Sequence, residues 1–187
     1  HILKTCGVKT EVGGNLGTAA LSLAPLGKDG TYVLELSSYQ LDLVKTTRFN
    51  IAVWLNISPD HIDRHGSLEG YVRAKEHIFA RQQTGDTAIV GVDDDASKRE
   101  VQMLGYVKKQ TVVPVSVRGK TTGIYVENGV LSDGDKRFDL NPIATLTGRH
   151  NWQNAACAYG AAKACGLAPD AIYAAMKTFG GLRHRLQ

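Results

Sequence analysis

The sequence lacks most of the features that assign a protein to a class at first sight. No apolar run approaches the roughly 18 residues of a membrane-spanning helix, and nothing looks like a secretory signal, so we expect neither a membrane protein nor a secreted one. The three cysteines show no CxxC or other metal-ligand spacing, which favours reduced, buried thiols in a cytoplasmic protein. The net charge of +4 is scattered along the chain without a basic stripe, so nucleic acid is not an expected partner.

The sequence does contain enough apolar material for one substantial domain. It has 187 residues, 43% of them hydrophobic, which suffices for a core that folds alone. Because it starts at His1 without a methionine and stops just after a dense motif, we interpret residues 1–187 as a single domain of a longer protein. A missing N-terminal neighbour would expose an edge of strand 31–36, and association through that edge is a hypothesis. No pattern predicts the oligomeric state.

Near-continuous apolar runs alternate with amphipathic segments, which is the pattern of parallel strands covered by helices on both faces. Asn128-Gly129 lies between two short runs and predicts a hairpin, so we expect a small antiparallel β insertion at about 118–140. The predicted fold class is therefore α/β, a three-layer, mostly parallel sheet flanked by helices. The predicted strands are 31–36, 51–55, 87–92, 112–117 and 143–146, and the predicted helices are a short one capped by Asn15, then 38–44, 68–82, 94–104, 151–165 and 169–178.

Acidic and imidazole side chains follow two consecutive apolar strands. Glu35 closes the first strand, and Asp60 and His61 come soon after the second. Since ligands of open α/β sheets bind outside the carboxyl ends of the strands, these side chains predict a divalent-cation site of an enzyme. The alternatives are an ion pair with an arginine for Glu35 and a helix cap for Asp60. Asp63 and His65, in the same loop, are either further site residues or simply solvated.

Lys75 occupies the apolar stripe of helix 68–82, seven residues after Leu68 and four before Phe79. A lysine there is paired, neutralised with a depressed pKa, or packed along its stem with the ammonium reaching water. Its nearness in sequence to Asp60-His61 favours a functional role. A neutral lysine amine can react with carbon dioxide to give a carbamate, which turns a cation into an oxygen ligand for a metal.

Polar side chains next to these segments have both a functional and a plainer explanation. Ser37, Ser38 and Gln40 either donate to a substrate or cap the helix that starts there. Asn15, in a glycine loop, either faces the same crevice or is only a cap.

The C-terminal third carries a second group of candidates. Asn151 and Asn154 share a face at the start of a helix whose free N–H groups suit an anion, and they either bind a planar base edge or are a cap and a surface amide. The run 183–185, Arg-His-Arg, suits a polyphosphate or nothing specific. No GxxxxGK[ST] loop occurs, so an ATP site here would need a phosphate loop from outside this sequence.

Six motifs stand in order along nearly the whole chain. They are Gly14-Asn15-Leu16-Gly17, Leu34-Glu35-Leu-Ser-Ser-Tyr-Gln40-Leu41, Asn56-Ile-Ser-Pro-Asp60-His61-Ile-Asp63-Arg64-His65, Tyr71-Val-Arg-Ala-Lys75, Gly148-Arg-His-Asn-Trp-Gln-Asn154-Ala-Ala and Gly181-Leu-Arg-His184-Arg185. Together they resemble the central ATP-binding domain of the Mur ligases, the amino-acid ligases of peptidoglycan precursor synthesis. The Glu-Leu-Ser-Ser-Tyr-Gln run is most similar to the member that adds D-glutamate; the sister that adds a diamino acid or lysine tends towards Glu-Val-Ser-Ser-His.

The resemblance implies a cytoplasmic, ATP-dependent ligase that adds D-glutamate to UDP-N-acetylmuramoyl-L-alanine through an acyl phosphate, with Mg²⁺ at two sites. It matches Glu35 to a ligand of the magnesium between the β- and γ-phosphates, and His61 and a carbamylated Lys75 to ligands of the second magnesium. The other matched positions are the substrate contacts Asn15, Ser37 and Gln40, the adenine contacts Asn151 and Asn154, His184 near the ribose and Arg185 near the γ-phosphate.

Three parts of the family pattern are missing from this sequence: the phosphate loop, the N-terminal domain that holds the UDP group and the C-terminal domain that presents the amino acid. We therefore expect no turnover from the chain alone. The rival interpretations are a different Mur ligase or a folylpolyglutamate synthase, a metal-dependent phosphohydrolase built on Asp60, His61, Asp63 and His65, and a non-catalytic nucleotide-binding module.

Overall fold

The protein is described from a computed structural model, which covers residues 1–15, 17–107 and 109–181. The chain divides into two compact units. The first unit consists mainly of Leu3–Arg48 and Ser58–Arg81, and the second consists mainly of Phe49–Ile57 and the chain from Gln82 onward. Each unit contains parallel strands and helices, which confirms the predicted mixed α/β class.

The first unit is built on a two-stranded parallel sheet. Strand β1 pairs with β2 in a register that runs from Thr10 opposite Thr31 to Gly14 opposite Glu35. Its elements are α1 (Ile2–Thr5, which opens the chain), β1 (Thr10–Gly14), a 3₁₀ turn (Ala20–Ser22), β2 (Thr31–Glu35), α2 (Ser38–Leu43), α3 (Ile62–His65) and α4 (Leu68–Glu76). The Ser67 hydroxyl starts α4 by accepting a hydrogen bond from the Gly70 N–H at 3.1 Å.

The second unit is built on a six-stranded sheet of order β3-β4-β5-β6-β7-β8. Its first four strands are parallel, and β7 and β8 continue it as antiparallel neighbours. Its elements are β3 (Ile51–Trp54), β4 (Thr87–Gly91), α5 (Asp95–Val107), β5 (Thr111–Ser116), β6 (Ile124–Glu127), β7 (Val130–Asp133), β8 (Lys136–Asp139), a 3₁₀ turn (Ala144–Leu146), α6 (Arg149–Ala164) and α7 (Pro169–Lys177).

The core of the second unit lies around β4. Ala88, Ile89 and Val90 are fully buried there, because β4 has a parallel neighbour on each side. The alanine-rich α6 packs closely on this sheet: a Cβ built on Gly160 would lie 3.0 Å from Ile124 Cδ1. The continuous apolar run that predicted a buried parallel strand is therefore confirmed at 87–92.

The predicted hairpin is present, with Asn128 and Gly129 both at positive φ between β6 and β7. The antiparallel strands of 118–140 are part of the main sheet, because β6 pairs in parallel with β5 at Val115 and Ile124. Asp94 starts α5 as predicted, since its carboxylate accepts the Ser97 N–H at 2.9 Å.

Three predicted elements differ from the structure. The expected strand 143–146 is a 3₁₀ turn, because Pro142 precedes it and the Leu146 N–H donates back to Ile143 O at 2.8 Å, so this N–H is not available to a strand ladder. Asn15 caps no helix, since its N–H continues the β1–β2 ladder by donating to Glu35 O at 2.7 Å. The helix expected to reach residue 82 ends at Glu76, after which hydrogen bonds of three-residue spacing tighten the chain into turns.

Strand β1 itself was not predicted, because its five residues include Gly13 and Gly14 and carry no apolar run.

In the described part of the chain, we find no helix both long and apolar enough to cross a membrane.

Candidate active site

The carboxyl ends of β1 and β2 bring Asn15 and Glu35 together. Gly14 has φ +117°, a conformation that L side chains rarely adopt, and it carries the chain from β1 into Asn15. The Asn15 side-chain amide then reaches Glu35 Oε1 at 3.5 Å. The sequence places these two residues 20 positions apart, so their meeting follows from the parallel pairing of the two strands.

Glu35 is exposed, and within the described residues it makes no ion pair with an arginine. The arginine alternative is therefore not seen among the described residues, and β2 is not covered on both faces there. Tyr32 and Val33 of β2 are 45% and 42% exposed, because the described sheet of this unit has only two strands. The Glu35 carboxylate is thus free to bind a cation at the strand end.

Ser37 and Gln40 form a capping box at the start of α2. The Gln40 N–H donates to Ser37 Oγ at 3.3 Å, and the Ser37 N–H donates to Gln40 Oε1 at 2.9 Å. The plainer explanation of these two residues is therefore confirmed. The box uses the amide oxygen of Gln40, and the Nε2 group makes no hydrogen bond within the described chain, so it can donate to a ligand.

His61 begins α3 in the left-handed region, at φ 51° and ψ 34°. The Asp60 carboxylate holds this turn: Oδ1 accepts the His61 N–H at 2.8 Å, and Oδ2 lies 3.5 Å from His61 Nε2. A left-handed conformation costs a non-glycine residue on the order of 1–3 kcal/mol and is concentrated at functional sites. The Asp60 carboxylate thus stabilises both the backbone turn and the ring position of His61.

Lys75 is half-buried on α4, as its place in the apolar stripe predicts. Its Nζ lies 5.1 Å from the ring centroid of Tyr71, one turn earlier on the same helix. Burial lowers the pKa of Lys75, and the negative charges of Asp60 and Glu35 oppose this shift. The carboxylates of Asp60 and Glu35 therefore both act electrostatically on Lys75.

Tyr71 opens the fourth of the six motifs, but the sequence analysis assigned it no role of its own. It is 7% exposed, and its pKa is raised by burial and by the charge of Asp60. Its ring contacts the lysine and also lies 6.5 Å from the His61 imidazole, centroid to centroid. The signal that could have found it was the four-residue spacing from Lys75.

Asn151 and Asn154 lie at the start of α6 in the second unit. The Asn151 amide donates to Thr147 O at 2.9 Å, and Asn154 is exposed. Between them, Gln153 is buried and accepts a hydrogen bond from the Asn56 amide at 3.2 Å. The remaining two candidates of this group, His184 and Arg185, lie outside the described residues.

The donor set of the first unit suits a hard cation. Among residues 1–15, 17–107 and 109–181, no group of three or more His, Cys, Asp or Glu side chains is arranged to hold a metal. Glu35 and Asp60 nevertheless present carboxylate oxygens near Lys75, and a carbamate there would add further oxygen ligands. Magnesium prefers such ligands, together with waters and substrate phosphates, so the residues fit that metal.

We expect Gly14→Ala to destabilise the protein by about 1–3 kcal/mol, because alanine disfavours a φ of +117°. Its Cβ would also lie 2.2 Å from Glu35 O, so the strand ends must move apart. Thermal unfolding measures the change. Gly105→Ala, in an open position of α5, is the control and should raise stability by up to about 1 kcal/mol; equal effects of the two substitutions would contradict the argument.

The fold of this chain matches part of larger proteins of known structure. MurF from Acinetobacter baumannii matches all of this chain and 43% of its own with a TM-score of 0.72 at 22% identity. A UDP-N-acetylmuramoyl-L-alanyl-D-glutamate--2,6-diaminopimelate ligase matches all of this chain and 44% of its own, with a TM-score of 0.73 at 20% identity. At these identities the likeness establishes the fold alone.

The family is shown by the sequence. The family model of the Mur ligase middle domain matches residues 8–162, so the chain belongs to the Mur ligase family. Two relatives carry the name UDP-N-acetylmuramoylalanine--D-glutamate ligase. The one from Paramagnetospirillum magneticum is 46% identical over 187 residues and 99% of this chain, and the one from Caulobacter sp. is 43% identical over 193 residues and all of it. The chain spans 41% of the length of each relative. The family predicted from the six motifs is confirmed.

Proposed function

We propose that this chain is the central, ATP-binding domain of a cytoplasmic ligase that joins D-glutamate to UDP-N-acetylmuramoyl-L-alanine in peptidoglycan precursor synthesis. The observation that carries the proposal is the assembly of Glu35, Asp60 and Lys75 in one unit, with His61 braced beside them. This assembly occurs in a chain of which relatives with that ligase name match 99–100% at 43–46% identity.

The reaction forms an amide in two steps. A carboxylate oxygen of UDP-N-acetylmuramoyl-L-alanine attacks the γ-phosphorus of ATP, and the bond to the β,γ-bridging oxygen breaks with release of ADP. The D-glutamate amine then attacks the acyl carbon of the acyl phosphate. Phosphate leaves with the electron pair of the C–O bond, and the amine gives up a proton as the amide forms.

The chain's contribution is to hold cations where anions must meet. Glu35 supplies a carboxylate for one magnesium, and His61 and Lys75, as its carbamate, supply ligands for a second. Bound magnesium neutralises and aligns the carboxylate and phosphate oxygens. Asp60 keeps the His61 turn in its left-handed conformation, and the charges of Glu35 and Asp60 favour a cation nearby.

The remaining residues bind and orient the substrates. Ser37, Gln40 and Asn15 lie at the carboxyl ends of β1 and β2 and contact the UDP-linked substrate, with the Gln40 Nε2 and Asn15 amides as donors. Asn151 and Asn154 bind the adenine edge. His184 and Arg185 contact the ribose and the γ-phosphate, a proposal that rests on the sequence motif.

Turnover belongs to the whole protein. The sequence contains no phosphate-loop pattern, and its relatives are more than twice its length. We therefore propose that the phosphate loop, the UDP-binding domain and the amino-acid-presenting domain are supplied by the rest of the natural protein. The isolated chain should give no detectable amide product, and product from pure chain would overturn this part of the proposal.

The test is phosphate release by the full-length protein with ATP, Mg²⁺ and UDP-N-acetylmuramoyl-L-alanine, with and without D-glutamate. We expect release to depend on D-glutamate and to be matched one-to-one by amide product detected by mass spectrometry. L-Glutamate, lysine and diaminopimelate are the matched acceptors that should not replace it. Release with another acceptor would indicate a different Mur ligase, and release without any acceptor would indicate a phosphohydrolase.

A further inference from the structure

His65 is half-buried and bonded within the protein. Its Nε2 lies 3.0 Å from the Ser38 hydroxyl, and Ser38, the first residue of α2, is only 2% exposed. The bond links the last residue of α3 to the first turn of α2, across 27 positions of sequence. The residue is therefore not simply solvated, which was one of the roles open from sequence.

Two aromatic rings pack against His65. The ring of Tyr39 lies 5.7 Å away at 65°, and that of Tyr71 lies 5.6 Å away at 52°. Both tyrosines also contact His61, at 5.1 Å and 6.5 Å between centroids. The His65 ring therefore shares its two aromatic neighbours with the His61 ring, and this set of Tyr39, His61, His65 and Tyr71 is called the ring cluster below.

Helix α3 cannot set its own position. It has four residues, follows a strained left-handed residue and ends at Gly66, which is also left-handed with φ 76°. A single helical turn is unstable in isolation, because nucleation costs more than one turn of hydrogen bonds returns. Its place must come from tertiary contacts, which include the hydrogen bond of His65 to the buried Ser38 and the ion pair of Arg64 with Asp42 at 3.7 Å.

We propose that His65 is a positioning residue for His61. The clasp between His65 and Ser38 fixes α3 against α2, which holds the His61 imidazole in the ring cluster beside Tyr71 and so on the side of Lys75. The inference rests on the proposed function, since it gives His65 a part in placing a magnesium ligand. The Nε2 atom of His65 is engaged by Ser38, so it is not proposed as a metal ligand.

The test compares two His65 variants in the full-length protein. His65→Gln places an amide nitrogen near the position of Nε2 and can keep the bond to Ser38, whereas His65→Phe keeps a ring in the cluster and loses the bond. We expect His65→Phe to raise the half-saturating Mg²⁺ concentration roughly three- to tenfold, the usual effect of losing one partly buried hydrogen bond. His65→Gln should recover most of that loss, and the KM for D-glutamate should not change in either variant.

Ser38→Ala completes a double-mutant cycle. It should shift the Mg²⁺ dependence as His65→Phe does, and the double variant should be no worse than the worse single one, because both substitutions remove the same bond. Mn²⁺ affinity in the presence of a non-hydrolysable ATP analogue, measured by electron paramagnetic resonance, should weaken in parallel without any turnover. Nuclear Overhauser contacts between His61 and Tyr39 should also weaken.

Arg81→Gln is the control for a merely structural effect. Arg81 donates to Lys45 O through Nε and Nη2, at 3.0 and 2.7 Å, and so joins other parts of the same unit. It should lower the melting temperature without moving the Mg²⁺ dependence. If the His65 and Ser38 variants do the same, His65 is structural only and the inference is wrong. If wild-type protein shows no D-glutamate-dependent turnover, the proposed function fails instead, while the His61–Tyr39 contacts still report on the clasp.

Discussion

Lys75→Ala is expected to slow D-glutamate-dependent turnover of the full-length ligase by roughly two to three orders of magnitude or more, the usual effect of removing charge stabilisation from a reaction of this kind. The side chain is half-buried, with its Nζ 5.1 Å from the Tyr71 ring and the carboxylates of Glu35 and Asp60 nearby. Burial lowers the pKa of Lys75, which raises the fraction of neutral amine that can react with carbon dioxide. As a carbamate, the side chain would offer oxygen ligands to a metal.

Lys75→Arg separates the carbamate from a simple cation. Arginine keeps a positive charge on a long stem but forms no carbamate under these conditions, so we expect it to be as inactive as alanine. Lys9→Ala is the matched control, since Lys9 is a lysine of the same unit whose ammonium donates to Leu26 O at 3.0 Å; it should retain turnover.

The carbamate itself is measured by ¹³C NMR after labelling with ¹³C-bicarbonate. Wild-type protein should give a carbamate resonance that both Lys75 variants lack. An active Lys75→Arg enzyme would show that the ammonium charge suffices, and the second metal site would then have to be assigned to other ligands.

Local patterns predicted those parts of the fold that depend on local sequence. Three local predictions are confirmed: the buried strand β4 (Thr87–Gly91), the hairpin at Asn128-Gly129 and the Asp94 cap. Each of these features depends on the types of a few adjacent residues, so it can be recognised from a short stretch of sequence. The run 143–146 is too short for its pattern to distinguish a strand from a turn. The structure has a 3₁₀ turn there, and the Thr145 hydroxyl donates to Phe179 O.

Long-range contacts decided what local patterns could not. Whether β2 is covered depends on how many strands join its sheet, so the exposure of Glu35 was not visible in an apolar run. The bond between His65 and Ser38 joins residues 27 positions apart, and no periodic pattern in the sequence indicates it. The family motifs predicted that Lys75 lies near Asp60 and Glu35. The contact of Tyr71 with the Lys75 ammonium, in contrast, was found only in the structure.

Glu35→Gln is expected to reduce turnover by roughly 100- to 1000-fold, because it replaces a carboxylate ligand by a neutral amide of the same shape. Glu35 is exposed and makes no ion pair within the described chain, so the melting temperature should change little. The contact with Asn15 can survive, since the glutamine amide retains an oxygen that can accept from Nδ2. Loss of activity at unchanged stability would therefore identify a chemical role for the charge.

The substitution also distinguishes the two proposed metal sites. The Glu35 charge raises the pKa of Lys75 against the effect of burial, so its removal lowers that pKa further and should leave carbamate formation at least as favourable. The ¹³C carbamate resonance should then persist in Glu35→Gln while turnover is lost, and the half-saturating Mg²⁺ concentration should rise. Glu11→Gln, at the other glutamate of the same two-stranded sheet, is the control and should keep wild-type turnover. If Glu35→Gln instead abolished the carbamate, the two sites would be a single coupled one, because the lysine would need the Glu35-bound metal in order to react.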